Sequence, residues 1–390
     1  MNKQTIVMGL DASNLVTGGA ITHLTELIAY GNPRDYGISK VIIWGSDHTL
    51  ERLPSKTWLK KKSRPQLNSH LMHRSWWQYS QLEKEAHSEH CTVLFVPGGS
   101  YAGGFKPFVT MSRNLLPFEW HELRRYRYAP LAFGRLFVLR YIQAKSFAKS
   151  DGLIFLTQYA KDLINKVVKP IPKHSTIIPH GLNARFQIAP KTQLPIDHYT
   201  AANPFRLLYV SGISRYKHQW HVVEAVHILR QQQFPLTLEL VGPSTNSALK
   251  HLRRTMQLLD PQESWVRYQG SIPYESLHEM YATADMGIFA SSCENMPNTL
   301  LETMAAGLPV ACSNRGPMPE VLGDTGLYFD PEEPAQIASA IQTFLLSPTL
   351  RREKALSAFN RTRHYSWQKC ADSTFSFISD IARNYSHIET

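Results

Sequence analysis

Short apolar runs alternate with amphipathic stretches along the whole chain. In the first half TIVMGL, KVIIW, CTVLFV, FVTM and GLIFL are too short for helices and are bounded by turn residues, so they read as buried strands. Between them ITHLTELIAY, a stretch near 76–89, a long region ending near 149 and TQYAKDLINKV have helical periodicity. The second half repeats the alternation: FRLLYVS, LTLELVG, WVRYQG, MGIFA, LPVAC and GLYF as strands, with helices over QWHVVEAVHILRQQ, about 247–259, SLHEMYATA, 298–306, about 335–347 and on to the end. Strand-helix alternation at this spacing implies right-handed βαβ units and parallel sheets covered by helices. The Pro-rich polar segment 187–206 reads as the connection between the halves. The expected fold is α/β: two Rossmann-like, doubly wound domains facing across a cleft, with ligands at the carboxyl ends of the strands.

Composition and charge narrow the picture. A chain of 390 residues with 43% apolar residues can bury two ordinary cores. The four cysteines, Cys91, Cys293, Cys312 and Cys370, form no C-x-x-C pair and no metal-ligand spacing, which suits a reducing cytosol. The N-terminus begins directly with a strand and a loop, and no run of 18 apolar residues is free of charge, so a cytoplasmic protein is expected. The net charge of +11 is unevenly placed. Residues 1–185 carry 25 Lys and Arg against 12 Asp and Glu, whereas the remainder carries 17 against 19. Two basic clusters contain aromatics, WLKKKSRP (58–65) and 121–149, the mixture an interfacial helix uses on an acidic bilayer. An amphipathic helix with a solvated basic face explains the same pattern. Zinc-finger spacing, an RNA-recognition signature and a long basic tail are all missing, so nucleic acid is not an expected partner.

The most informative segment is SSCENMPNTLLETMAAGLPVACSN (291–314). It reads as a strand end, a loop, a helix and a Gly-Pro turn into a new strand. Pro297 suits the first helical turn and Asn295 an N-cap. The N–H groups of residues 296–299 would then face outward and favour an anion. Glu294 falls in the loop and Glu302 about one turn inside the helix. Beside a phosphate, two carboxylates should face hydroxyls, which points to a sugar nucleotide; an acidic first turn alone has a simpler origin in the helix dipole.

Two further loops carry chemistry. After the first strand, DASNLVTGGAITHLTEL lacks G-x-G-x-x-G, so a nicotinamide fingerprint is absent. Gly18 and Gly19 precede a helix there and would let backbone approach a ligand, or simply make a turn. The strand opening the second half ends in YVSGISRYKHQW, which puts Arg215 and Lys217 at its carboxyl end, where cations can neutralise a diphosphate.

These segments resemble the retaining nucleotide-sugar glycosyltransferases of the GT-B type, group 1. The resemblance rests on the E-x7-E pair Glu294 and Glu302 with its AAGLPVACSN continuation, on 316–334, on LLYVSGISRYKH, on the Gly18-Gly19 loop and on IIPHGLNARF (177–186). It implies an acceptor-binding domain over 1–183 that regains the final helix, about 367–390, a linker over 184–206, and a donor-binding domain over 207–366. Glu294 would contact the donor sugar, with the main chain of Asn295, Met296, Pro297, Asn298 and Thr299 near sugar and phosphate. Glu302 would bind the ribose, Lys217 and Arg215 the departing diphosphate, and Gly18 and Gly19 the phosphate from the other domain. Ser271 and Ile272 would pack near the base. Two positions depart from the family: Gly212 stands where it usually has Arg, and Ser112 where it often has His. Arg113, Asn114 and Glu119 are nearby polar candidates, and His121 and His180 read as structural.

No D-x-D occurs, so a metal clamp is not expected. The family implies front-face attack with the leaving phosphate taking the proton, so catalysis is largely positioning and electrostatics. The expected reaction moves a sugar from a UDP- or GDP-linked donor to a glycan or lipid-linked acceptor. The setting is bacterial surface polysaccharide assembly, lipopolysaccharide included, at the inner face of the membrane. A sugar-nucleotide epimerase or a non-catalytic binder of the same fold is the alternative.

Overall fold

The computed structural model describes residues 5–16 and 18–386. The chain divides into two compact units, one made of residues up to Gly181 together with those from Tyr365 onward, the other of Leu182–His364. The first unit is built on β1 (Ile6–Asp11), β2 (Ile38–Trp44), β3 (Leu59–Lys62), β4 (Val93–Val96), β5 (Phe108–Met111), β6 (Gly152–Phe155) and β7 (His174–Ile177). The second is built on β8 (Phe205–Val210), β9 (Leu236–Val241), β10 (Val266–Gly270), β11 (Met286–Phe289), β12 (Val310–Ser313) and β13 (Leu327–Phe329). The sheet orders are β3-β2-β1-β4-β5-β6-β7 and β10-β9-β8-β11-β12-β13, with every paired strand parallel.

Central strands are fully buried, as β4, β5, β6, β11 and β12 show, because helices cover both faces of a parallel sheet; hence their unbroken apolar sequences. The strand order reverses once in each sheet, at β1/β4 and at β8/β11. Loops leaving such neighbours diverge to opposite faces and open a crevice at their carboxyl ends.

Two strands carry no strand-like signal in the sequence, β3 and β7, and both lie at sheet edges. The expectation of an interfacial helix around WLKKKSRP is therefore corrected: Leu59–Lys62 is an edge strand paired with β2. Lys60 and Lys62 turn onto Glu89, 2.8 Å away in the case of Lys60, and their hydrogen bonds hold the Glu89 carboxyl at about 2. Lysines on an edge strand also discourage pairing with another chain.

The Pro-rich segment expected as a linker is strapped along the second unit. The Ile188 N–H donates to the Ala305 carbonyl (3.0 Å) and Lys191 to the Ala284 carbonyl (2.8 Å). Arg351, fully buried, donates to the Gln193 side chain (3.0 Å). The last helix, Trp367–Ser386, belongs to the first unit and packs on the helix Gly19–Tyr30. Ser379 and Arg383 both donate to the Tyr36 carbonyl, at 2.6 and 2.8 Å. Where the chain returns, Gly181 lies against the backbone of Trp367: a Cβ there would come within 2.1 Å of the Trp367 nitrogen.

Backbone cannot rotate out of the way as a side-chain tip can. Gly181→Ala should therefore lower stability by about 1–3 kcal/mol, the usual range for overpacking. Gly134, in the helix Pro130–Lys149 with open space where its Cβ would stand, is the control: Gly134→Ala should be neutral or stabilising by about 0.5–1 kcal/mol. Urea midpoints of the two variants check this, and equal midpoints would contradict it.

Candidate functional site

β8 and β11 are neighbours at the strand-order reversal of the second sheet, paired through Leu207–Met286 and Leu208–Gly287. The loops that follow them are stitched together. The Ser292 N–H donates to the Tyr216 carbonyl at 2.8 Å, and the Ser291 and Ser292 hydroxyls donate to the same oxygen at 3.4 and 3.3 Å. His218, buried at the start of the helix Gln219–Gln231 with φ 51°, places Nε2 2.9 Å from Ser292 Oγ. The Tyr209 hydroxyl donates to the Lys217 carbonyl at 2.8 Å. Together these bonds carry Lys217 and Glu294, 77 positions apart in sequence, into a direct ion pair that is mostly withdrawn from water. Burial works against the Lys217 charge, but the Glu294 carboxylate and Tyr216 outweigh it, and the ammonium pKa is raised. Arg215 begins the single turn Arg215–Lys217 and is half-buried beside the pair.

The helix after Glu294 corrects two expectations. It spans Asn298–Ala305, with Pro297 in the cap position and no side-chain cap bond, so Asn295 is not its N-cap and Pro297 is not in its first turn. The set of outward N–H groups is also smaller than expected, since Pro297 has none and that of Asn298 donates to the Met296 carbonyl at 3.0 Å. Asn295, Met296 and Pro297 are buried; Asn298 and Thr299 are half-buried. Met296 is buried with the core of this unit.

Glu302 is buried one turn into that helix. Its two oxygens accept the hydroxyls of Tyr274 (3.3 Å) and Tyr281 (3.2 Å). Burial pushes its pKa up to about 8, against the lowering effect of the two tyrosines and Arg185. The Arg185 guanidinium lies over the Tyr274 ring, 5.4 Å from its centre, and Phe186 packs against both tyrosines. The sequence reading did not find Tyr274, Tyr281 or Arg185. The available signal was Tyr281 at a buried helical position, since a buried phenol needs an acceptor. Gly270 has φ 72°; after it Ser271 is exposed and Ile272 half-buried.

In the first unit, Gly18 adopts φ 58° and the helix starts at Gly19. Arg113, in the loop after β5, donates to the Gly19 carbonyl at 2.8 Å, and burial pushes its guanidinium down to about 10. The polar loop after β5 and the glycine loop after β1 are thus one local structure. Ser112 is fully buried, with its N–H donating to the Ile154 carbonyl at 2.9 Å. The Asn114 side chain accepts the Leu116 N–H at 3.1 Å, and Glu119 accepts the Tyr159 hydroxyl. His180 is buried in a stack with His23 and Trp367, at 4.8 and 5.6 Å between ring centres, whereas His121 is mostly exposed. Gly212, half-buried, lies near Pro243.

The second unit therefore presents a buried cation with a counter-carboxylate at a strand-order reversal, and a second, largely protonated carboxyl framed by phenols one helical turn away. The first can meet an anion; the second can bond hydroxyls.

Residues 204–347 match the family model described as Glycosyl transferases group 1, and the second unit carries a domain of that family. O-antigen chain mannosyltransferase B of Escherichia coli is 27% identical over 240 residues, 60% of this chain and 59% of that protein. The match thus spans less than two thirds of that curated relative. Among solved structures, HepE of Anabaena in complex with UDP superposes with a TM-score of 0.66 at 17% identity, covering 98% of this chain and 100% of that one. Sucrose-phosphate synthase of Thermosynechococcus elongatus gives 0.72 at 17% identity, over 98% and 99%. The fold is that of the GT-B glycosyltransferases, two Rossmann-like domains.

Glu302 generates a pH test. Its folded pKa of about 8 lies above the ordinary carboxyl value of 4.5, so between the two the unfolded chain loses a proton that the folded protein keeps. The contribution of this group to stability is full at low pH and declines as pH rises from about 4.5 through 8. Glu302→Gln removes the titration and keeps the shape. It should match the parent protein at pH 5 and melt roughly 3–8 °C higher at pH 8.5. Melting curves that differ equally at both pH values would count against a buried, protonated Glu302.

Proposed function

We propose that the protein is a glycosyltransferase that moves a sugar, with retention of configuration and without a metal, from a nucleotide-diphosphate donor to a glycan or lipid-linked acceptor. The observation that carries this reading is the Lys217–Glu294 pair at the end of β8 and β11. A lysine held charged inside protein by a single carboxylate is ready to exchange that partner for a diphosphate. On donor binding Lys217 turns to the departing phosphate with Arg215 beside it, and Glu294 is released to a hydroxyl of the sugar. Glu302, with Tyr274 and Tyr281, bonds the ribose hydroxyls. The main chain of Asn295, Met296 and Thr299 lies along the sugar and phosphate, and Ser271 and Ile272 along the base. The acceptor hydroxyl attacks on the face the phosphate leaves, the phosphate takes its proton, and the protein supplies orientation and charge stabilisation.

The UDP in the Anabaena structure supports a nucleotide-diphosphate donor, UDP-linked in the first place, with a GDP-linked sugar as the other candidate. The E. coli relative, named an O-antigen chain mannosyltransferase, supports assembly of a bacterial surface polysaccharide such as lipopolysaccharide. Among the described residues no helix is long and apolar enough to cross a membrane. The excess of cations in the first half fits peripheral attachment to the inner face of the cell membrane.

Incubation with UDP-, GDP- and ADP-sugars and a panel of glycan and lipid-linked acceptors, read as released diphosphate and as transferred sugar, tests the reading. One donor class should support transfer, with the anomeric configuration kept by NMR. Lys217→Ala should lower kcat by about 10²–10³-fold, the usual cost of one charge-stabilising donor. Conversion of one sugar nucleotide into another with no acceptor, or full activity in Lys217→Ala, would overturn it.

A further inference from the structure

The first sheet also reverses its strand order, at β1/β4, so the loops leaving those strands flank a crevice of the first unit's own. Polar atoms in its walls are left unmatched by the protein. Ser13 Oγ and Asn14 Oδ1 lie in the loop after β1, Gln143 Oε1 on the helix Pro130–Lys149 and Arg74 Nε on the helix Leu71–Ser80. All four atoms are withdrawn from water and have no hydrogen-bond partner among the described residues. Ser13 is fully buried and Gln143 is 4% exposed. A continuous chain of contacts joins these residues. Arg74 Nη1 donates to the Ser13 carbonyl at 3.3 Å. A Cβ on Gly98, in the loop after β4, would stand 3.9 Å from Asn14 Cβ, and one on Gly99 would stand 3.2 Å from Gln143 Nε2. Buried polar atoms are almost always bonded, so four orphans in one contiguous patch mark a place where a ligand completes the bonding.

The chemistry of the orphans selects the ligand. Two are amide oxygens and one is a hydroxyl, and all three accept an O–H. Gly98 and Gly99 leave bare backbone where a sugar ring can approach closely. The fourth atom belongs to a cation. Arg74 makes no ion pair among the described residues, its bond being to the Ser13 carbonyl. Asp11, the acid at the end of β1, is bonded by Gln78 and by the Ser13 N–H (2.9 Å), and burial raises its pKa. A guanidinium so placed suits a carboxylate or a phosphate. Hydroxyls and an anion on one molecule describe an acidic saccharide. A nucleotide carries the same two kinds of group, but the reading above gives the nucleotide to Lys217 and Glu302. We propose that Arg74 is a specificity-determining residue for an acidic acceptor: the crevice at β1/β4 takes a glycan bearing a carboxylate or phosphate group, with Asn14 and Gln143 on its hydroxyls and Arg74 on the anion. This rests on the transfer reading for there being a glycan acceptor, and adds its chemical class.

The experiment is titration calorimetry of the full chain with UDP and GDP both in excess. The probes are tetragalacturonic acid for the carboxylate, an oligomannoside ending in mannose 6-phosphate for the phosphate, and neutral mannotetraose. The parent should bind one acidic probe at least about tenfold more tightly than the neutral one, and which of the two it prefers identifies the anion. That preference should shrink between about 0.05 M and about 0.5 M salt. Arg74→Gln should erase it and leave neutral binding as it was, whereas Asn14→Ala should weaken acidic and neutral probes alike, by about tenfold. Arg254→Gln, at an exposed arginine of the second unit, should behave as the parent, and circular dichroism should be the same for all. Donor hydrolysis by the parent, read in parallel, reports on the transfer reading separately: hydrolysis without acidic binding sinks this proposal alone, and acidic binding without hydrolysis sinks the transfer reading alone. The proposal is also overturned by a parent that prefers the neutral probe, by an Arg74→Gln variant that keeps the acidic preference, or by acidic binding seen only when the nucleotides are left out, which would give the crevice to the nucleotide's phosphates.

Discussion

A lysine ammonium withdrawn from water needs an opposite charge, and that requirement organises the second unit. Lys217 has Glu294 as its partner, and the two residues come from loops 77 positions apart. Nothing local could join them. The adjacency of β8 and β11, set by the reversal of strand order, brings the loop ends within reach. The Tyr216 carbonyl then accepts from Ser291 and Ser292, and His218 bonds Ser292, so the loops are fixed before the charges are considered. Removing one charge of such a pair leaves the other buried and uncompensated, commonly a loss of about 3–5 kcal/mol, which makes the pair a constraint on this half of the protein as well as a candidate for chemistry.

Glu302 shows the opposite solution to the same problem. Its carboxyl is buried beside two phenols with one guanidinium near by, and it is held largely protonated instead of paired with a cation. Two glutamates eight positions apart thus lie in different electrostatic surroundings. The difference comes from what faces each: Lys217 in one case, Tyr274 and Tyr281 in the other. A motif of two carboxylates does not contain that distinction.

The first unit uses its charge differently at its two basic clusters. Lys60 and Lys62 are consumed by Glu89 at the edge of the sheet, where they protect a strand. The cations along Pro130–Lys149 share their helix with outward apolar residues. Similar composition therefore has a structural use in one place and presents a surface in the other. Sheet position separates them: the edge strand has β2 as a paired neighbour and Glu89 within reach of its lysines, whereas the helix is buried only at Gln143, Ser146 and Phe147, and its Arg140 bonds the Pro117 and Phe118 carbonyls.

The apolar periodicity determined most of the architecture. Among the described residues, eleven of the thirteen strands follow from short apolar runs; the central ones, such as KVIIW and VLFV, do so because a strand covered on both faces must be apolar throughout. β3 and β7 did not: both are edge strands, which escape that demand, and LKKK and HSTI lack the apolar run that marks the edge strands β10 and β13. The strand-end positions of Lys217, Arg215 and Glu294 were legible too, since a parallel strand delivers the loop after it to the ligand side. The cap of the helix Asn298–Ala305 differs from that reading: Pro297, not Asn295, precedes its first residue. Only the tertiary structure decided that Lys217 meets Glu294, that Tyr274 and Tyr281 frame Glu302, and that Arg113 reaches Gly19. Those contacts depend on which strands lie side by side and how far each loop reaches. The sequence records an element's buried face in its own period, but the identity of the neighbour across that face is set by the order of strands in the sheet.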